Sequence, residues 1–240
     1  MKRTLSIIHC SLFVLLIACG SSDRSLEQGR AYLKDGKFRE AVQALNEAIE
    51  ADDANADAFN SRGVAYFELK EYANATLDYD QAIKLKPDFA RPYYNRALLK
   101  EAQNDLTGAL KDYSDAIRFS PDTARVATSD LYLNRGQLFT KQGQTGPALN
   151  DFSQAITLNP KNALALYNRG NLRFNQKDAP GATADFTQAV QADPKFGKAF
   201  YALGIAQLLQ NRRETGCLSL KQAQSLGYAD AANAVAQYCQ

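Results

Sequence analysis

A pattern in this chain returns every 34 residues, and it narrows the possible folds more than any other feature. One unit carries Phe59, Gly63, Tyr66, Ala75, Tyr79, Ala82 and Pro87. The next carries Tyr93, Ala97, Ala109, Tyr113, Ala116 and Pro121 in register. After a slip of five residues come Tyr132, Gly136, Phe139, Ala148, Phe152, Ala155 and Pro160, and then Leu166, Gly170, Ala182, Phe186, Ala189 and Pro194. A repeat of this length holds one pair of antiparallel helices, and a lone pair has nothing against which to bury its apolar face. The hairpins are therefore expected to stack into an all-α solenoid. Such an array offers a long surface for holding another molecule and few pockets for chemistry.

Local signals agree with helices. Apolar positions recur at spacings of three and four. Pro87, Pro121, Pro160 and Pro194 fall just past the second helix of a unit, while Pro92, Pro147 and Pro180 fit a first helical turn, where a missing N–H costs nothing. Asp178 is placed as an N-cap. Gly63, Ala97, Gly136 and Gly170 lie level, across the hairpin, with Tyr79, Tyr113, Phe152 and Phe186; a ring packs there only against a residue with almost no side chain. Arg62, Arg96, Arg135 and Arg169 are each followed, sixteen residues later, by Asp78, Asp112, Asp151 and Asp185. Both positions are equally far from the turn, so antiparallel helices should bring them together as ion pairs inside each hairpin. Where the arginine is missing the aspartate is missing too: Gln28 with Ala44, and Leu203 with Ser219.

The recurring Asn-Arg-Gly…Ala…Asp-Tyr…Ala-Ile…Pro resembles the tetratricopeptide repeat, or TPR. The resemblance covers the chain from Ser22 onward in six units, 22–55, 56–89, 90–123, 129–162, 163–196 and 197–230, or an array over 26–230. It implies a right-handed α-solenoid of six TPR helical hairpins with a concave face lined by the first helix of each. A C-terminal capping helix is expected over 229–240. By position, the concave face would present Asn60, Tyr94, Asn95, Asn134, Gln137, Tyr167, Asn168, Asn171, Asn175 and Tyr201 to a peptide. Amides both donate and accept, so they suit a peptide backbone, and tyrosines add flat apolar area with a polar tip. For Asn95, Asn134 and Asn168 a second reading stands beside this one: they satisfy the solenoid's own polar groups. Some TPR domains clamp a C-terminal carboxylate with lysines, and this groove lacks those lysines. The five-residue insertion 124–128 either lengthens the following helix or forms a rim loop.

The first residues read as an export signal over 1–18: Lys2-Arg3, then a mostly apolar run from Leu5 to Ala18. That run is shorter than the roughly 20 residues a spanning helix needs. Its end, Leu16-Ile17-Ala18-Cys19, resembles the lipobox of bacterial lipoproteins, in which the cysteine takes the lipid. Residues 19–25 would then be a short linker, and Gly20 in place of aspartate implies sorting to the outer membrane, facing the periplasm. Cys217 and Cys239 would remain in an oxidising compartment, either as a bridge across the end of the array or as free thiols. Metal binding suits them less, with no histidine beyond His9 in the signal.

Charge and composition exclude much else. The formal charge is +2, and loss of Lys2 and Arg3 brings it to zero. With no basic run, nucleic acid is not an expected partner. A mature chain without histidine has no Ser-His-Asp or Cys-His site, and it has no phosphate loop or dinucleotide fingerprint. Glu27, Glu40, Glu68 and Glu101 sit at positions expected to face solvent. The reading is thus a non-enzymatic, lipid-anchored scaffold that binds protein or peptide segments of the cell envelope, without a cofactor. Two rivals are an assembly factor, resembling the pilotins, working through its convex face or by self-association, and a carboxylate-dependent glycan hydrolase.

Overall fold

Helical periodicity decides the fold throughout. A computed structural model describes residues 22–121 and 123–240, the Val126 side chain excepted, and within these every regular element is helical. The export signal, Cys19 and Gly20 lie outside the described residues. The chain divides into two compact units, Met1–Ser120 and Pro121–Gln240. The first holds the helix over 22–34 (α1), α2 (Phe38–Ala51), α3 (Ala56–Glu68), α4 (Tyr72–Leu85), α5 (Ala90–Ala102) and α6 (Leu106–Phe119). The second holds α7 (Arg125–Lys141), α8 (Thr145–Leu158), α9 (Ala163–Asn175), α10 (Ala179–Ala192), α11 (Gly197–Leu209), α12 (Arg213–Ser225) and α13 (Ala229–Tyr238). Within each unit consecutive helices pack in order, as stacked hairpins do.

The caps explain where helices begin. Asn55, Asp105, Asn162 and Asp178 each accept a hydrogen bond from the backbone N–H three residues on, satisfying a donor that the first helical turn leaves open. Every hairpin turn passes through one residue with left-handed backbone: Gly36, Lys70 and Asn104 in the first unit, Gly143, Lys177 and Asn211 in the second. Lys70 (φ 62°) and Lys177 (φ 66°) hold that conformation with a side chain attached, which carries a penalty for any residue with a Cβ. Lys70→Gly and Lys177→Gly are each expected to stabilise their unit by up to about 1 kcal/mol. Urea denaturation followed by circular dichroism reads this, and a lowered midpoint would contradict it.

Packing across each hairpin is set by its smallest residue. A Cβ added at Gly63 would meet the Tyr79 ring at 2.6 Å, at Gly136 the Phe152 ring at 2.8 Å, and at Gly170 the Phe186 ring at 2.6 Å. These rings are 1% exposed. They and the buried alanines Ala75, Ala148, Ala155, Ala182 and Ala189 of the second helices form the core between hairpin layers.

The insertion lengthens a helix. Helix α7 has 17 residues, against 13 in α9 and α11, so residues 125–128 add a helical turn ahead of Ser129. Register is restored there: the Ser129 hydroxyl donates to the Ala155 carbonyl at 2.8 Å and accepts from Asn162 Nδ2 at 3.0 Å. Ser22 makes the same pair of bonds, to Ala48 at 3.0 Å and from Asn55 at 3.3 Å. That bond corrects the expected linker. Residues 22–25 belong to α1, because Ser22 is the first position of a repeat and its hydroxyl is needed inside.

Candidate functional site

The charged pairs are used internally. Arg62 donates through Nε and Nη2 to both oxygens of Asp78 at 2.9 and 2.7 Å. Arg96 grips Asp112 at 2.8 and 2.7 Å, Arg135 grips Asp151 at 2.8 Å twice, and Arg169 grips Asp185 at 3.0 and 2.7 Å. The four carboxylates are buried. A further arm reaches back to the preceding hairpin: Arg62 Nη1 donates to Asn46 Oδ1 at 2.7 Å, Arg96 Nη1 to Asp80, and Arg169 Nη1 to Ser153 Oγ at 3.2 Å. Lys100 and Arg173 bring a second cation, each at 2.8 Å, to Asp112 and Asp185. The Arg62 guanidinium also lies 5.5 and 5.8 Å from the ring centroids of Phe59 and Tyr66. Burial pushes the Asp78 carboxyl above its ordinary value, which the Arg62 hydrogen bond and charge offset only in part.

Glu101 does not face solvent freely, as expected, but is half-buried and accepts from the Tyr113 hydroxyl at 2.7 Å. Burial, and then that bond, drive the Tyr113 pKa far upward, so the phenol stays a donor. Among the described residues no group of three or more His, Cys, Asp or Glu is placed to hold a metal ion.

The residues expected on the concave face separate into several environments. Asn60 is only 5% exposed, and its Oδ1 accepts from Asn95 Nδ2 at 2.9 Å. That bond joins α3 to α5, so these two amides serve the stack in the first unit. Tyr94, on α5, packs near the Tyr113 ring at 6.2 Å. In the second unit Asn134 and Gln137 are half-buried on α7, and Asn175 is exposed at the end of α9. Asn168 Nδ2 is enclosed without a hydrogen-bond partner.

Three of the expected residues do meet. Tyr167 and Asn171 from α9 and Tyr201 from α11 line one cleft of about 620 Å³ in the second unit. Tyr167, 8% exposed, forms its floor, with ring centroids 5.9 Å from Phe186 and 5.1 Å from Phe196. The Tyr201 ring packs against Tyr228, with centroids 5.1 Å apart and planes tilted by 46°. The opposite wall is α13, which contributes Asp230, Asn233, Gln237 and Tyr238. Sequence reasoning missed this wall, because α13 lies past the last repeat and has no period to place it. The chain holds α13 in position at both ends. Its start is fixed by Tyr228 and buried Ala231. Its end is fixed by the Cys217–Cys239 disulfide, with Cα atoms 5.5 Å apart, and by Arg213, which donates to the carbonyls of Tyr238 at 3.1 Å and Gln240 at 2.7 Å. Burial, and then the neighbouring Asp230, push the Tyr228 hydroxyl above its usual pKa, so it remains a proton donor at the cleft. The lining combines aromatic faces with amides and a single carboxylate, which suits binding a polypeptide.

Comparisons with known proteins agree on the architecture. The chain matches the tetratricopeptide repeat profile over residues 26–88 and 77–124, and a TPR repeat profile over residues 136–177. No curated protein matches it in sequence. Among solved structures, PilF of Pseudomonas aeruginosa is similar with a TM-score of 0.76 at 20% identity, over 87% of this chain and 93% of that one. PilW, described as a widely conserved type IV pilus biogenesis factor, gives 0.70 at 19% identity, over 89% and 97%. YrrB, described as a TPR protein with an unusual peptide-binding site, gives 0.65 at 22% identity, over 80% and 98%. At these identities the likeness is one of fold. Profile and fold together, on top of the 34-residue period and its paired helices, show that the chain belongs to the tetratricopeptide-repeat family.

Proposed function

We propose that this protein is a lipid-anchored scaffold of the bacterial cell envelope, which holds segments of other proteins in the cleft between α9, α11 and α13. The observation that carries the reading is the lining of that cleft: four tyrosines beside unspent amides, with no group arranged for bond-breaking. The buried carboxylates are taken up by cations within the array, so the work left to the surface is recognition. Such a role agrees with a family whose members act chiefly as non-catalytic scaffolds.

The anchor rests on Leu16-Ile17-Ala18-Cys19 and the apolar run before it. No described helix is long and apolar enough to cross a membrane. With α1 already formed at Ser22, only Gly20 and Ser21 separate it from Cys19, so the array would be held within about 10 Å of the lipid surface. Outer-membrane sorting with the array facing the periplasm follows from Gly20 as a proposal.

Two experiments test the reading. Fatty-acid labelling in cells should be lost in Cys19→Ser; equal labelling would refute the anchor. A photo-crosslinker at Asn233 should trap an envelope protein, and Tyr201→Ala should cut that yield about tenfold, as for an aromatic contact at an interface centre. Tyr201 is preferred to Tyr167, whose burial would mix binding with folding. Crosslinks gained only from the exposed Leu77 in the first unit would favour an assembly role instead.

A further inference from the structure

The cleft continues into a second basin, and the two together define the shape of what they bind. This basin, about 450 Å³, is lined by Ile205, Leu208, Leu209, Asn211, Arg213, Gln237 and Tyr238. Ile205, Gln237 and Tyr238 line both basins, so they form one groove with a shared waist. Helix α11 lines both basins: Tyr201, Ile205 and Leu208 follow one another at helical spacing along it. Helix α13 is the wall and runs in the same direction, since Tyr228 at its start packs against Tyr201 and Tyr238 at its end lines the same basin as Leu208 and Leu209. The groove is aromatic at one end and aliphatic at the other. Leu209 is 65% exposed and Tyr238 42%, which is large for apolar groups with no described residue covering them.

The distance between basins sets a spacing for the ligand. Tyr201 and Leu208 are seven residues apart on a helix, about 10 Å at 1.5 Å per residue. An extended segment in the polyproline II conformation covers about 9 Å in one three-residue turn, which brings residues three apart onto one face. A bound helix covers it in seven. The polar lining chooses between these. The amides of Asn171, Asn233 and Gln237 make no hydrogen bond to any described residue, and all three face the groove. An extended segment brings unpaired backbone N–H and C=O groups that such amides satisfy, whereas a helix keeps its own internal bonds. Charge then orients the ligand. Asp230 is the charged residue lining the aromatic basin. At the aliphatic end two donors of Arg213 are occupied by the carbonyls of Tyr238 and Gln240.

On the reading of this cleft as a protein-binding site, we infer that its ligand is an extended polypeptide segment. That segment carries an aromatic and an aliphatic residue three positions apart, with a lysine or arginine beside the aromatic one.

The test is selection of a random twelve-residue peptide library on the full, disulfide-bonded chain. Enriched peptides should share an aromatic and an aliphatic residue three apart with a basic neighbour to the aromatic. Tyr201→Ala and Leu209→Glu should each weaken their binding about tenfold. Asp230→Lys, at an exposed position, should exchange the basic preference for an acidic one. Peptides whose anchors recur at helical spacing, or whose charge preference is unmoved by Asp230→Lys, would overturn the inference while their loss in Tyr201→Ala left the site itself standing. No enrichment, or enrichment insensitive to Tyr201→Ala and Leu209→Glu alike, would overturn both.

Discussion

Asp112→Ala is expected to destabilise the unit ending at Ser120 by about 3–5 kcal/mol. The carboxylate side chain has 0% exposure and neutralises two cations, Arg96 at 2.7 Å and Lys100 at 2.8 Å. Its removal leaves the Arg96 guanidinium, itself 18% exposed, short of its main counter-charge while still enclosed. Exposed ion pairs behave otherwise, with contributions of about 0–1 kcal/mol. Urea denaturation and hydrogen exchange in α5 and α6 measure the loss. A decrease below about 1 kcal/mol would mean that water replaces the carboxylate, and that the pair is a surface one. The double variant Arg96→Met with Asp112→Leu should recover more than half of the deficit, because it removes the enclosed guanidinium together with its partner, while Lys100, at 24% exposure, can turn its ammonium to water.

Reduction of the disulfide, or Cys217→Ser with Cys239→Ser, is expected to cost about 3 kcal/mol. The bond closes a loop of sequence separation 22, and its loss restores conformational freedom to the unfolded chain end. In a repeat array such a loss stays local. Amide exchange over 229–238 should therefore accelerate strongly while α3 to α6 keep their protection. Peptide binding in the cleft should weaken in parallel, since Asn233, Gln237 and Tyr238 reach the groove only when α13 is docked. Unchanged exchange in α13 after reduction would show that Arg213, Ala231 and Ala234 hold the helix without the bridge.

The fold was legible because its rules are local and repeated. Helix, turn and proline positions follow from spacing alone, and the close approach of Gly63 to Tyr79 follows from their equal distance to the turn. Other features depend on a third partner and were not legible. The back-reaching arm from Arg62 to Asn46 needs the stacking geometry of two hairpins, and the second cation on Asp112 needs the depth of the pocket around it. Asn60 illustrates the limit at the site. Its position in the repeat suits a ligand-facing amide, but a neighbouring hairpin carries Asn95 at the right height to use it. The cleft shows the opposite failure: Tyr201 and Asn171 were read from the period, while Asn233 and Tyr238 lie beyond it, on the expected capping helix, where no repeat position marks the side that faces the groove.

Each guanidinium finds its carboxylate sixteen residues ahead and, in Arg62, Arg96 and Arg169, a polar group sixteen behind. Excising residues 63–96 would hand Arg62 the carboxylate of Asp112 at that same offset. Whole modules can thus be duplicated or lost at the level of the gene without stranding a buried charge, whereas a cut that starts or ends inside a hairpin and is not a whole number of repeats leaves one facing the wrong neighbour.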